Sequence, residues 1–124
     1  MGSTSAYLIY RKITHSGNSL LKLVDFVGEL DLLSQFNPYL QNQLMGDSEY
    51  IEFTCFGLEE ELTNAGFIKL KNNSNISVPK FHEPLVYDKS PIYWSVLQHN
   101  KSKKLIICCG DADQDRPNMI LNKL

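Results

Sequence analysis

Three aspartates stand at alternate positions near the end of the chain, in the stretch CCGDADQDRPN (108–118). Asp111, Asp113 and Asp115 follow an apolar run, and an arginine and a proline come directly after them. Carboxylates at this density could bind a divalent cation, act as a general base, or accept hydrogen bonds from backbone N–H groups in a turn. The chemistry of the chain depends on which of these three roles they take.

Two positions in this stretch argue against an EF-hand calcium site. An EF-hand loop counted from Asp111 requires glycine at its sixth position and glutamate at its twelfth. The sequence has Arg116 and Asn122 at those positions, and a predicted strand precedes the loop. A looser carboxylate site stays open, but no metal is expected. The main alternatives are a structural turn, in which Arg116 pairs with a carboxylate, and a catalytic acid cluster.

His82 is the second candidate for catalysis. It lies in KFHEP, between Phe81 and Glu83, in a loop rich in proline. A carboxylate can orient a catalytic histidine, although neighbours in an extended segment face apart. The sequence contains no G-x-S-x-G, H-E-x-x-H or P-loop motif, so no standard hydrolase, zinc-protease or nucleotide site is predicted.

A third candidate site lies where a predicted strand leads into a predicted helix. Val27 and Gly28 occupy this junction, at which backbone N–H groups could meet a phosphate. Glu29 and Asp31 follow immediately, and their charges would repel a pyrophosphate. The alternative is a tight turn that needs the conformational freedom of glycine.

Composition limits the partners of the chain. Its 124 residues carry a net charge of −2, so no basic surface predicts nucleic acid or an anionic membrane as a partner. No apolar run approaches the roughly 18–20 residues that span a bilayer, and no membrane insertion is expected. The start, MGSTS (1–5), is typical of a tag remnant or a disordered end, and the natural protein could continue upstream. Residues 6–124 are predicted to form one domain.

The three cysteines, Cys55, Cys108 and Cys109, make a poor disulfide framework, and their spacing matches no zinc site. Neighbouring residues on a strand point to opposite faces, so Cys108 and Cys109 are not expected to bond to each other. They are interpreted as small buried hydrophobic residues in a reducing environment, which predicts a cytoplasmic location.

Hydrophobic periodicity predicts the elements that position these residues. Residues 6–13 and 20–28 are predicted to form a hairpin with a loop of several residues, and the second strand is apolar on both faces, as interior strands are. Pro38 either opens a helix capped by Asn37 or kinks a longer helix over 29–46. Further strands are predicted at 49–57, 67–71, 92–98 and 103–109, a short helix at 58–67 and a proline-rich loop at 76–91.

This order of elements predicts an α/β (α+β) fold, with a mixed, mostly antiparallel sheet and two or three helices. The aromatic-rich loop and the final hairpin would leave an open strand edge. A homodimer formed through that edge is a further prediction.

The segments LIYRKI, LLKLVDFVG, EYIEFTCFG, NAGF, VPKFHEP and GDADQDRPN together resemble the C-terminal half of a group of bacterial acyltransferase-like proteins. Those proteins are similar to the GNAT superfamily of N-acetyltransferases and are linked to surface-polysaccharide synthesis. The resemblance spans roughly residues 6–118, and GDADQDRPN is its most specific part. The Arg/Gln-x-x-Gly-x-Gly/Ala turn of that superfamily is absent, and DFVGELD stands in its place.

The resemblance implies a GNAT-like fold, acetyl-CoA or another acyl-CoA as the cofactor, and a small molecule or sugar as the substrate. The general base would be one of the three aspartates or His82, and a backbone N–H at a strand bulge would bind the oxyanion. The residues that carry over as candidates are Asp111, Asp113, Asp115 and His82 for catalysis, Val27 and Gly28 for the cofactor, and Arg116, Asn118, Glu83 and Trp94 for the substrate.

A second hypothesis treats the chain as a degenerate, non-catalytic member of the same fold. The acidic turn and the aromatic loop would then form a surface for ligand recognition or dimerisation. The missing cofactor turn favours this hypothesis, and the elaborate terminal motif favours the acyltransferase.

Overall fold

The structure is a computed structural model that describes residues 5–70, 97–99 and 101–112. The described residues confirm a mixed α+β fold, in which antiparallel strand pairs predominate and three helices are present. None of the helices among them is long and apolar enough to cross a membrane. The elements in chain order are β1 (Ala6–His15), β2 (Asn18–Gly28), α1 (Leu30–Ser34), α2 (Pro38–Met45), β3 (Ile51–Phe53), β4 (Cys55–Phe56), α3 (Glu59–Asn64), β5 (Ile107–Cys108) and a 3-10 helix (Cys109–Ala112).

β1 and β2 form a long antiparallel hairpin that pairs from Ala6 with Gly28 to His15 with Asn18. The prediction of a loop of several residues was wrong, because the strands close directly on Ser16 and Gly17. These two residues have φ values of 51° and 85°. A two-residue turn with both φ angles positive matches the right-handed twist of the flanking strands. The polar residues on either side of the turn therefore belong to the strands.

β2 is the central strand of a three-stranded sheet with the order β1-β2-β3. It is antiparallel to β1 and parallel to β3. The predicted interior position is confirmed, since the four consecutive residues Leu20–Leu23 are all buried. Consecutive burial requires cover on both faces of the strand, because neighbouring side chains point to opposite sides.

The two alternatives at Pro38 are resolved in favour of separate helices. The Asn37 side chain accepts hydrogen bonds from the N–H groups of Tyr39, at 3.0 Å, and Leu40, at 3.2 Å. Pro38 is the first residue of α2, where a backbone N–H has no partner within the helix. The missing N–H of proline therefore removes no hydrogen bond. Gly46 ends the helix with a φ of 56°, as predicted. α1 and α2 together carry the chain from β2 to the parallel strand β3.

The single strand predicted over 49–57 was wrong, because this segment contributes to two sheets. β3 pairs with β2, whereas β4 pairs with the distant strand β5, and Thr54 separates them. Alternation of side chains along the sequence describes both short strands equally well. It carries no information about a change of pairing partner.

α3 agrees with the predicted helix, with acids in its first turn and Gly66 just beyond its end. The strand predicted at 67–71 is absent over residues 67–70, and Lys71 lies outside the described residues. The Phe67 N–H donates to the Leu62 carbonyl at 2.9 Å. The Phe67 ring stacks on Phe36 with centroids 6.3 Å apart. These contacts hold the start of the segment against the helices, where it cannot enter a sheet.

β5 is the only described part of the predicted final hairpin that is a strand. Among the described residues its partner is β4. In the segment 92–98, which was predicted as its partner, residues 97–98 lack strand structure and 92–96 lie outside the described residues. Gly57 makes this pairing possible. It has a φ of 87°, and a Cβ atom at this position would lie 2.1 Å from the Leu105 carbonyl oxygen.

A compact apolar cluster joins the sheets to the helices. Leu33 of α1, Leu58 before α3 and Cys108 of β5 are each at most 1% exposed. Seven partly buried apolar residues pack around them: Leu8, Phe26, Leu30, Phe53, Cys55, Leu62 and Ile106. This cluster holds the end of β2 beside β5 and the 3-10 helix.

Candidate functional site

The pairing of β1 with β2 contains one irregularity, and it lies in the middle of the fold. Ile9 pairs with Asp25 and Tyr10 pairs with Leu23, so Val24 is an extra residue in β2. Such a β-bulge bends its strand and changes the direction of the following backbone groups. Bulges are common beside active sites for this reason.

The bulge coincides with the point where β2 and β3 separate. The two parallel strands pair only from Leu21 with Ile51 to Leu23 with Phe53. β2 then continues through the bulge to Gly28, while the chain after Phe53 turns to the second sheet. In open sheets, ligands bind in crevices at the carboxyl ends of parallel strands. We call this region, defined by Val24–Phe26 of β2 and Phe53 of β3, the strand opening.

The C-terminal 3-10 helix lies against the strand opening. The Cys109 sulfur is 3.3 Å from the Leu23 carbonyl oxygen and 3.3 Å from the Val24 carbonyl oxygen. A Cβ atom on Gly110 would lie 3.1 Å from Val24 Cγ1, so the two backbones approach closely. The first residues of the GDADQD motif are thereby placed beside the bulge.

Asp25, Cys108 and Asp111 meet at this place, with one ligand atom of each within 4.8 Å of the others. Both carboxylates are already hydrogen-bonded to backbone. Asp111 Oδ2 accepts from the Cys108 N–H at 2.8 Å, and Asp25 Oδ1 accepts from the Phe26 N–H at 2.8 Å. For Asp111 the structure therefore agrees with the structural-turn interpretation, in which the carboxylate caps the chain around it.

The Cys108 thiol at the centre of this group is a poor nucleophile. Burial, opposed by a hydrogen bond from the Phe26 N–H and helped by the Asp25 charge, raises its pKa to about 12. Since only the thiolate is reactive, this thiol stays protonated and unreactive near neutral pH. The Phe26 N–H therefore lies beside both the Asp25 carboxylate and the Cys108 thiol.

The predicted cofactor residues are placed at the end of β2. Val27 is exposed, and Gly28 lies opposite Ala6 of β1 with a φ of 147°. A Cβ atom on Gly28 would lie 2.6 Å from Ala6 Cβ, so the glycine is needed for strand approach. The helix that follows has five residues, and its Glu29 cap makes no side-chain hydrogen bond. This turn does not fit a pyrophosphate, because its N–H groups are few and acids surround them.

Most of the predicted site lies outside the described residues. Of the four candidate catalytic residues, only Asp111 is described. The others, together with the candidate substrate residues, fall in the ranges 71–96 and 113–124: His82, Glu83, Trp94, Asp113, Asp115, Arg116 and Asn118.

The sequence analysis did not predict a second feature, a cleft of about 370 Å³ between the β3–β4 segment and residues 67–70. Glu52 and Tyr50 line it, and both are partly buried. Burial raises the pKa of the Glu52 carboxyl, while Lys22 on the adjacent strand β2 and Arg11 on β1 lower it. A charged residue within a predicted strand, Glu52, was the available signal in the sequence.

Tyr50 adds a second polar group to this cleft. Burial raises the pKa of its phenol to about 12, and the charges of Glu52 and Glu49 act in the same direction. Its hydroxyl is buried and has no hydrogen-bond partner among the described residues. A buried polar group without a partner lowers stability, so its retention is a common feature of binding sites.

Comparison with known proteins gives this site no precedent: the chain matches no family model, no curated protein and no solved structure at a significant level.

Proposed function

We propose that this chain is an acyl-CoA N-acyltransferase-like domain that acts on a sugar in surface-polysaccharide synthesis in the cytoplasm. One observation carries the proposal: the bulge at Val24 lies where the parallel strands β2 and β3 separate, and the Phe26 N–H just after it donates to the Asp25 side chain. This is the feature that the sequence resemblance implied for binding an oxyanion. The resemblance itself, over roughly residues 6–118, supplies the substrate class.

The chemical role of the strand opening follows from the needs of acyl transfer. Negative charge develops on the carbonyl oxygen of the acyl group, and a fixed backbone N–H within about 2.7–3.1 Å stabilises it. The Phe26 N–H donates to the neighbouring Asp25 carboxylate at 2.8 Å and also lies within hydrogen-bond reach of the Cys108 thiol. An acyl thioester would supply the activated carbonyl, which would replace Asp25 Oδ1 as the acceptor.

The general base of the proposed reaction comes from the residues that the resemblance indicates. Asp111 is committed to the Cys108 N–H and is best suited to holding the turn. Asp113, Asp115 and His82 therefore remain the candidates for taking a proton from the acceptor amine. Because the turn at Gly28 does not fit a pyrophosphate, phosphate contacts would have to come from other residues.

A second candidate function rests on the cleft beside β3. In that case the chain is a non-catalytic recognition module, and Glu52 and Tyr50 bind a polar ligand in the cleft. A volume of about 370 Å³ is within the range of small-molecule sites. The acids after Gly28 and the absence of the cofactor turn also favour this candidate.

An amide-resolved NMR titration of the chain with acetyl-CoA separates the two candidates. We expect acetyl-CoA to shift the amide signals of Val24, Asp25 and Phe26 and to leave the Ser16–Gly17 turn unchanged. Deleting Val24 keeps the register of β1 with β2 but removes the bulge, so the variant should retain the hairpin signals and lose the response. The distant turn serves as the internal control for non-specific effects.

The other outcomes are equally informative. Glucosamine that shifts Glu52, Thr54 and Phe67, in a chain that does not respond to acetyl-CoA, would favour the recognition module. Acetyl-CoA that shifts no signal in β2 would contradict the acyltransferase proposal. An equal response in wild type and in the Val24 deletion would show that the bulge has no part in binding.

A further inference from the structure

Two of the three cysteines lie directly opposite each other in the second sheet. Cys55 of β4 is the register partner of Cys108 of β5, and both thiols are free. Both side chains contact the apolar cluster around Leu33 and Leu58, so they point to the same face of the strand pair. Facing positions on one side of an antiparallel pair bring the two Cβ atoms about 4.5–5.5 Å apart.

The hydrogen bonding identifies which kind of pair this is. Directly opposite residues in an antiparallel ladder either exchange both N–H···O bonds or make none with each other. The Cys108 N–H donates to Asp111 Oδ2 at 2.8 Å, which uses the donor that a hydrogen-bonded pair would direct to Cys55. Cys55 and Cys108 are therefore a non-hydrogen-bonded pair, whose Cα atoms lie about 4.5 Å apart. That separation falls in the range of about 4.4–6.8 Å found in disulfides.

The third cysteine is directed elsewhere. The Cys109 sulfur lies against the carbonyl oxygens of Leu23 and Val24 on β2. Since Cys108 and Cys109 are neighbours on the chain, their side chains also point in different directions. Cys55 and Cys108 are therefore the two cysteines that face each other across the strand pair.

We propose that Cys55 and Cys108 form a reversible disulfide that locks β4 to β5. In the reaction a thiolate of one cysteine attacks a disulfide oxidant such as oxidised glutathione, and the second thiolate displaces the bound glutathione. The two cysteines lose two protons and two electrons, and the oxidant is reduced to two molecules of thiol. The bond would fix the 3-10 helix against the strand opening, whichever ligand that region binds.

Burial determines when the bond can form. It raises the pKa of both thiols to about 12, so neither ionises readily in the folded chain. Exchange is therefore slow once the chain is folded, because the thiolate is the attacking species. The redox state of the pair is set while the chain folds.

The test is refolding of the full chain from denaturant in a buffer of oxidised and reduced glutathione. We expect the intact mass to fall by two hydrogens, peptide mapping to link Cys55 with Cys108, and dithiothreitol in denaturant to reverse both changes. The oxidised chain should melt about 10 °C higher than the reduced chain. Cys109→Ser should keep the bond and the shift, whereas Cys55→Ser and Cys108→Ser should each lose them.

Three results would overturn the inference. They are a bond that involves Cys109, glutathione adducts without an internal bond, and three thiols that stay free after refolding. Retained amide signals of the β1–β2 hairpin in Cys55→Ser and Cys108→Ser would show that these variants fold, so that loss of the bond in them reflects the missing thiol.

Discussion

The β1–β2 hairpin and the β3–β4–β5 region are built in opposite ways. The hairpin pairs strands of ten and eleven residues through a two-residue turn. The second region uses strands of three, two and two residues, whose partners are distant in sequence. The bulge, the cysteine pair and the cleft all lie where these two regions meet or in the second one. The hairpin consists of regular local structure, whereas contacts between distant segments bring together the groups that could bind or react.

Two glycines give the sharpest test of this comparison. Gly57→Ala places a Cβ atom 2.1 Å from the Leu105 carbonyl oxygen. Strain at positive φ and this overlap should together lower the free energy of unfolding by about 4 kcal/mol. Gly17→Ala, at nearly the same φ but with no atom within 4 Å, should cost only about 1 kcal/mol. Chemical denaturation measures both, and equal losses would contradict the role given to the Leu105 contact.

Leu58→Ala should have the next largest effect. Leu58 is 0% exposed in the cluster that joins both regions. Its truncation removes apolar contacts and leaves a cavity, so we expect a loss of about 3 kcal/mol. Hydrogen exchange should rise first at β4 and β5, before the hairpin amides. Ile68→Ala, at an 84% exposed position, is the control and should change stability by less than about 0.5 kcal/mol. Uniform exchange throughout the chain would show that the regions unfold as one unit.

Removing the N-cap of α2, which lies between the two regions, should have a smaller effect on stability. Asn37→Ala removes the side-chain acceptor for two N–H groups at the start of α2, which should cost about 1 kcal/mol. Asn42→Ala lies within the same helix at an exposed position and should be neutral or slightly stabilising. Thermal unfolding of the pair checks the capping role. Similar melting temperatures for both variants would argue against it.

The last prediction concerns the change in the free energy of unfolding with pH. In the folded chain the Cys55 and Cys108 thiols and the Tyr50 phenol have pKa values of about 12. In the unfolded chain such groups lose their protons between about 8.5 and 10. The unfolded chain then binds fewer protons, so the free energy of unfolding should fall as pH rises from about 9 to 12. Cys55→Ala and Tyr50→Phe should each reduce that slope, and a flat profile for the wild type would refute the assignment.

The sequence predicts the hairpin and helices well, because their signals are local. Apolar runs locate β1 and β2, Asn37 with Pro38 marks a helix start, and Gly46 marks its end. The mixed sheet follows from the order of these elements. Only the predicted length of the hairpin turn was wrong, because the polar residues at the ends of the two strands were interpreted as part of the loop.

The candidate site was harder to predict from the sequence, because the pairing of strands that are distant along the chain leaves no periodic pattern in the sequence. Nothing local to Thr54 shows that the chain changes sheets, and nothing near Val24 marks a bulge. The role of Asp111 as a backbone cap follows from general properties of aspartate. The cleft at Glu52 depends on the position of residues 67–70, which were predicted to be a strand.

The separation of β4 from β5 by residues 57–106 has a consequence for the order of folding. A hairpin with a two-residue turn closes within about 1–10 µs, whereas contacts between distant segments form more slowly because more chain entropy must be lost. The β1–β2 frame is therefore in place before β5 and the 3-10 helix arrive beside it. During synthesis or refolding, the backbone of β2 on that side is a free edge until the final step. A ligand or chaperone present at that time would meet this part of β2 before β5 and the 3-10 helix pack beside it.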